Sequence, residues 1–295
     1  GHTGQAARPG RELTRGLPMA TAPGSRIAGY RLGRLLGNGN HGAVYLAEEL
    51  ANGGAVALKL VPLPAGDRAA SQQFLHHAAT VQGLKHPGIV VLHAAGVHRA
   101  TTGWLAMEPV PGSDLQRYTA PARLLPEALV LRVGARLAEA LAHAHALGVV
   151  HRDIKPANVL VHWPDDIVKL ADFGLARTAD AQATRTGLLL GSPGYMAPEQ
   201  LAGAMPDARS DFYALGVTLF QLLSGRLPFE GDTLGALLRQ VASSAAPDLR
   251  QMHPRLPAHV ARLVARLLSR QADRRAETAA TLAQELHAAM RDLTR

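Results

Sequence analysis

The chain has 295 residues, 47% hydrophobic and 18% charged, enough apolar material for one large domain or two lobes around a sizeable core. A formal net charge of +8 would suit an acidic partner, but the arginines are scattered and not interleaved with aromatics, so a solvated basic surface is expected and nucleic-acid binding is not. Zero cysteines exclude disulfides, thiolate metal sites and cysteine nucleophiles, in keeping with a reducing cytoplasm, and no apolar run reaches the ~20 residues of a membrane span.

Residues 1–25 are rich in Arg, Pro and Gly without apolar periodicity and read as a disordered lead-in, with Met19 a candidate natural start. Short strands are expected at Tyr30–Leu36, Ala43–Glu48, Ala55–Val61, Val90–Ala95 and Trp104–Met107. One helix interrupts them, from Ser71 as N-cap to Gly83 as stop. Glu108-Pro109-Val110-Pro111-Gly112 then marks a lobe boundary, since turn formers end the strand and the remainder reads as mostly helical. This division gives a small lobe over 26–107, a hinge over 108–112 and a large lobe over 113–295. Pro126 opens a long helix with Leu129, Val130, Val133, Leu137 and Leu141 on one face, closed by Gly148. A helix from Asp211 to Leu223 is apolar on nearly all sides and ends at Gly225. Amphipathic helices follow near Leu234–Ala242, His259–Leu268 and Ala279–Leu293.

Gly37-Asn38-Gly39-Asn40-His41-Gly42-Ala43-Val44 has the spacing of a phosphate-cradling loop, in which residues without Cβ let the backbone approach phosphate oxygens. In dinucleotide-binding folds such glycines open a helix. Here Ala43-Val44-Tyr45-Leu46-Ala47 continues as a strand, which favours a flap over nucleotide phosphates. Ala55-Val56-Ala57-Leu58-Lys59 sets one cation on a strand of small apolar residues. Alternation puts Ala55, Ala57 and Lys59 on one face, so a nucleotide would meet small side chains under its base and an ammonium at its phosphates. Further on come His151-Arg152-Asp153-Ile154-Lys155-Pro156-Ala157-Asn158, Asp172-Phe173-Gly174 and Ala197-Pro198-Glu199. They supply a carboxylate able to accept a hydroxyl proton, then an amide oxygen and a second carboxylate able to hold metal ions, the set that phosphoryl transfer needs.

In this order and at these separations the five motifs resemble those of the eukaryotic-type (Hanks-type) bacterial serine/threonine protein kinases, over about residues 26–295. The resemblance implies a two-lobed α+β protein kinase fold with a small antiparallel β lobe, ATP and Mg2+ or Mn2+ as cofactors, and protein substrates. It implies that Asp153 accepts the substrate hydroxyl proton, that Lys155 contacts the γ-phosphate and Lys59 the nucleotide phosphates, and that Asn158 and Asp172 hold metal ions. Gly37, Gly39 and Gly42 would cover the phosphates, and Leu36, Val44, Ala57 and Leu160 would sandwich the base. Met107 would guard the back of the adenine site, while the backbone of Glu108 and Val110 pairs with the base edge. Thr184 and Thr186, with Thr178 in the same activation segment, are implied autophosphorylation candidates whose phosphates would pair with Arg152, in trans if the chain forms a homodimer. Three structural matches accompany these: Ser192 near Asp153, Asp211 beneath the catalytic loop, and a buried Glu199–Arg275 ion pair.

One position departs from the family pattern. A Glu is expected about nine residues before the His-Pro that follows the small-lobe helix, where it would pair with the strand lysine; the count from His86 lands on His77, and no Asp or Glu lies between Arg68 and Met107. A neutral imidazole offers Lys59 one acceptor but no charge. The chain is therefore expected to be a slowed kinase, with Glu48 a candidate substitute for the missing carboxylate. The alternative is a nucleotide-binding pseudokinase acting as a scaffold, its helix swung outward. On the kinase reading, a carboxylate restored at position 77 is expected to raise the rate. The other histidines, including His76, His143 and His145, show no metal-ligand spacing.

Overall fold

Alternating apolar residues fold the first third of the chain into one antiparallel sheet. The computed structural model describes residues 22–39, 42–173 and 193–293. Met19, Asn40, His41, Gly174, Thr178, Thr184, Thr186 and Ser192 lie outside the described residues. The sheet comprises β1 (Arg26–Ile27), β2 (Tyr30–Gly39), β3 (Gly42–Glu49), β4 (Ala55–Pro62), β5 (Leu92–His98) and β6 (Thr102–Met107), in the order β1-β2-β3-β4-β6-β5. Period two separates its faces. Tyr30, Tyr45, Leu58, Leu60 and Ala106 form a core on one side. Val61 and Leu105 join Phe74, Ala78 and Val81 of helix α1 (Arg68–Gln82) in a second core on the other.

Several boundaries differ from expectation by a few residues, and two of these shifts have a local reason in the hydrogen bonds. Helix α1 starts before Ser71 because Asp67 caps it, its Oδ1 accepting the Ala70 N–H at 2.9 Å. A carboxylate adds charge against the helix dipole, which a serine hydroxyl does not. Strand β5 starts at Leu92, not Val90, because Val90 N–H donates to Leu170 O (3.0 Å) and Leu170 N–H donates to Gly88 O (2.8 Å). That backbone bridge joins the segment after α1 to the larger lobe.

In the larger lobe, α2 (Glu127–Ala146) follows Pro126 as expected. The helix Ala208–Ser224 begins one turn earlier than the apolar run suggested, capped by Asp207; every residue from Ser210 to Leu223 is buried, and Gly225 ends it in the left-handed conformation (φ 74°). Helices Leu234–Ser243, Ala258–Leu267 and Ala279–Leu293 complete the lobe. A three-stranded sheet, unanticipated from the sequence, lies between the lobes' chemistry-bearing segments: β7 (Ser113–Asp114), β8 (Val159–His162) and β9 (Ile167–Leu170), in the order β7-β8-β9. Val159, Val161, Val168 and Leu170 are its buried side chains. One apolar network runs from Val61, Phe74 and Leu92 through Phe173 to Leu219 and Leu286, so the largest of the cores extends through both lobes. Among the described residues no helix is long and apolar enough to cross a membrane.

The expected Glu199–Arg275 pair is present and bidentate, at 2.6 and 2.7 Å. Arg275 is fully buried, donates also to the carbonyls of Ser269 (2.9 Å) and Arg209 (2.8 Å), and lies 5.0 Å from the centre of the Tyr213 ring. Burial pushes the Glu199 carboxyl up, but hydrogen bonds from Arg275 and Ser210 outweigh it and hold the group below its ordinary value of 4.5. A depressed carboxyl pKa contributes stability above the unfolded value that is lost as pH falls through the folded one. Arg275→Ala, which strands a buried carboxylate, is expected to cost about 3–5 kcal/mol in urea unfolding. The stability gap between the parent and Glu199→Gln should narrow as pH falls below 4.5.

Candidate active site

Strand register assembles the small-lobe half of the site. Gly37 faces Val44, Val44 faces Lys59, and Ala57 faces Met107 across adjacent strands. Cross-strand partners share a face, so Gly37, Val44, Ala57, Lys59 and Met107 lie on one side of the sheet. Leu36, beside this row, is 43% exposed. Gly42 has φ 127°, and a Cβ there would sit 2.0 Å from Leu60 O, so the hairpin itself requires glycine. Gly37 and Gly39 differ: a Cβ on either meets nothing within 4 Å. Glycine inside a strand costs roughly 0.5–1 kcal/mol relative to alanine, and no neighbour among the described residues accounts for it. The open space lies over the face that carries Lys59.

Lys59 is 4% exposed, and its Nζ lies 2.8 Å from Asp172 Oδ2, which follows β9. The other half of the site is organised around Asp153. Its Oδ2 takes Lys155 Nζ at 2.9 Å and Asn158 Nδ2 at 2.9 Å, and Asn158 Nδ2 also donates to Asp153 O at 2.7 Å. Asp153 N–H donates to His151 Nδ1 (3.2 Å), which places the imidazole hydrogen on Nε2, donating to Ala171 O (2.8 Å). Ala171 N–H returns to Asn158 O at 2.9 Å. Lys59, Asp172, Asn158, Asp153 and Lys155 thus belong to one connected network.

Arg152 and Asp172 hold left-handed backbone conformations, φ 72° and 61°. Such strain costs of order 1–3 kcal/mol per residue and persists only where the surroundings enforce it. Asp211, 1% exposed in the first turn of the buried helix, enforces the first. Its carboxylate accepts the N–H groups of His151 and Arg152 and the Nε2–H of His145, all at 2.8 Å. His145 was visible in the sequence as a histidine; its partner depends on how α2 packs against the buried helix.

On the linker after β6, Glu108 N–H donates to Val91 O (3.0 Å), while Glu108 Oε1 accepts Val91 N–H (2.9 Å) and pairs with Lys169 Nζ (2.5 Å). The Glu108 N–H is therefore committed within the fold, and its carbonyl is what remains for a ligand. Val110 is half-buried two residues on, and Leu160 of β8 is half-buried on the opposite side of its strand from Val159 and Val161. The Lys169 tie to the linker was not anticipated, because β9 was not.

His77 does not meet Lys59. Its Nε2–H donates to Phe173 O at 2.9 Å, half-buried between the lobes. Glu48 stands opposite Ala55, four residues along β4 from Lys59, and pairs with exposed Arg31 at 3.2 Å, so it is no substitute for the missing carboxylate. The counter-charge of Lys59 is Asp172. Asp172 offers carboxylate oxygen, and Asn158, its amide nitrogen spent on Asp153, offers amide oxygen. Among the described residues no cluster of three or more His, Cys, Asp or Glu forms a dedicated metal cage. One carboxylate plus a neutral oxygen suits magnesium, which is usually held by few protein ligands with substrate phosphates completing its shell.

The family model "Protein kinase domain" matches residues 30–287. The chain belongs to the protein kinase domain family. It is 39% identical over 287 residues to the DNA damage-responsive serine/threonine-protein kinase RqkA of Deinococcus radiodurans, covering 93% of this chain and 42% of that protein. It is 35% identical over 245 residues to the serine/threonine-protein kinase PrkC of Bacillus subtilis, covering 82% and 37%. This kinase domain therefore spans about two fifths of the length of those relatives. The crystal structure of the Mycobacterium tuberculosis PknI kinase domain (C20A mutant) superposes with a TM-score of 0.74 at 30% identity, covering 92% of this chain and 99% of that one. The two-lobed α+β architecture is that of the family. Replacing Asp211 with alanine would leave two backbone N–H groups and the His145 ring without their shared acceptor, and is expected to cost about 3 kcal/mol in denaturant unfolding.

Proposed function

We propose that the chain is an ATP-dependent serine/threonine protein kinase, transferring the γ-phosphate of ATP to hydroxyl groups of protein substrates. The observation that carries this reading is that the Lys59–Asp172 pair and the Asp153–Lys155–Asn158 cluster are joined by the backbone bond from Ala171 N–H, beside Asp172, to Asn158 O. With Oδ2 of Asp153 taken by Lys155 and Asn158, Oδ1 is the oxygen for the substrate proton. As the hydroxyl oxygen bonds to the γ-phosphorus, its proton passes to Asp153 and the bridging oxygen leaves with ADP. Lys155, held beside Asp153, sets positive charge where the γ-phosphoryl group must arrive. Lys59 contacts the remaining phosphates beneath Gly37, Gly39 and Gly42.

Asn158 and Asp172 would hold Mg2+ or Mn2+. A divalent cation held there would offset the charge of the nucleotide phosphates. Leu36, Val44, Ala57 and Leu160 enclose the base, Met107 closes the back of its site, and the Glu108 carbonyl with the Val110 backbone pairs with its edge. Thr184 and Thr186 are the proposed autophosphorylation sites, modified in trans between two copies of the chain. The scaffold alternative, a nucleotide-binding pseudokinase, rested on His77 alone. It gains no support from a site that retains Lys59, Asp153, Asn158 and Asp172 together.

Incubation with radiolabelled ATP and Mg2+ tests this reading. The parent is expected to incorporate label and Asp153→Asn to incorporate at least about a hundredfold less, the size of a general-base contribution; equal background on both would leave the scaffold reading. Mass spectrometry should place phosphate on Thr184 or Thr186, and exchanging both for alanine is expected to lower the rate on an added substrate.

A further inference from the structure

Given the kinase reading above, we infer that His77 is a positioning residue of the phosphoryl-transfer site. By donating its Nε2–H to the Phe173 carbonyl it ties helix α1 to the segment that carries Asp172. Asp172 in turn holds Lys59. The helix and the strand lysine are joined through a shared third element, the Asp172-Phe173 backbone, and not directly to each other.

Among the described residues three hydrogen bonds hold the backbone of this short segment. His151 takes Ala171 O, Asn158 O takes Ala171 N–H, and His77 takes Phe173 O. The first two come from the large lobe, and His77 comes from the small one. Between them Asp172 keeps φ 61°, a conformation that relaxes when its supports are removed. The Phe173 ring is buried and lies 4.5 Å from the His151 ring, so the anchored backbone also fixes an aromatic in the core. On α1, His77 stands three residues after buried Phe74 and four before buried Val81, on the helical face that meets the core.

The acceptor is a carbonyl, so position 77 needs a hydrogen to donate. Burial pulls the His77 imidazole below its ordinary pKa; the Phe173 hydrogen bond opposes this, and the Arg152 and His76 charges reinforce it. The neutral ring with hydrogen on Nε2 satisfies the geometry. A carboxylate would turn an acceptor toward an acceptor, which reverses the sequence-based expectation that glutamate at this position speeds the reaction.

The test compares initial rates of the parent with His77→Gln, His77→Glu and His77→Ala at varied ATP and Mg2+, with Asp153→Asn as control. Gln should keep kcat within about threefold of the parent because its amide donates. Ala and Glu should lose about tenfold, with a raised Mg2+ requirement, the scale of one hydrogen bond in the transition state. Gln and Glu are nearly equal in size, so their comparison survives even if the alanine variant fails to fold, which its Tm will report. The inference is overturned if Glu matches or exceeds Gln, if Gln falls to the alanine level, or if folded Ala keeps the parent's rate and Mg2+ dependence. Label on the parent that is absent from Asp153→Asn upholds the kinase reading whichever way the His77 series falls.

Discussion

A buried ammonium is tolerable only beside an opposite charge, and Lys59 meets that requirement across the gap between lobes. Its partner, Asp172, belongs to the segment after β9, so satisfying the lysine also sets how the small sheet sits over the larger lobe. Desolvation of the pair is costly in itself. The surrounding arrangement limits the loss, because the same core that buries Lys59 continues through Phe74, Leu92 and Phe173 into the large lobe. A triphosphate with its cation would meet charges already held in place.

The strained backbone follows from the same constraint. Arg152 and Asp172, the second a member of this pairing, both hold conformations that a free chain would leave. Buried groups fixed elsewhere in the fold hold them: Asp211 beneath one, His151, Asn158 and His77 around the other. The Ala208–Ser224 helix is buried along nearly its whole length, and from its first turn Asp211 reaches the His151–Arg152 backbone. Farther out, the Glu199–Arg275 pair ties the short helix at Pro198–Leu201 to the segment just before the Ala279–Leu293 helix.

The short sheet β7-β8-β9 shows why some of this was hard to read from the chain. Its strands are two to four residues long, too short for alternation to stand out within a stretch whose pattern is mostly helical. Yet its antiparallel register, with Val159 facing Leu170, brings Asn158 and Asp172 to the same end of the β8–β9 hairpin, and through Lys169 it grips the linker at Glu108. The early starts of α1 and of the buried helix have a simpler cause. Asp67 and Asp207 cap them from outside the apolar pattern, where periodicity gives no signal.

The linear order of residues by itself determined the chemistry on offer. A glycine loop that continues into a strand, a lone strand lysine, and an aspartate followed at set intervals by an asparagine and a second aspartate are residue types that nucleotide phosphates and metal ions constrain, and such constraints survive without coordinates. The antiparallel small lobe and the buried helix were legible too, since periods of two and of continuous apolarity are local. Only the tertiary structure decided which groups meet. It paired Lys59 with Asp172, gave His77 to Phe173 O and Glu48 to Arg31, and set His145 against Asp211. Those choices depend on packing between elements up to about a hundred residues apart in the chain, where hydrogen-bond partners are set by distance in space and leave no local trace in the sequence.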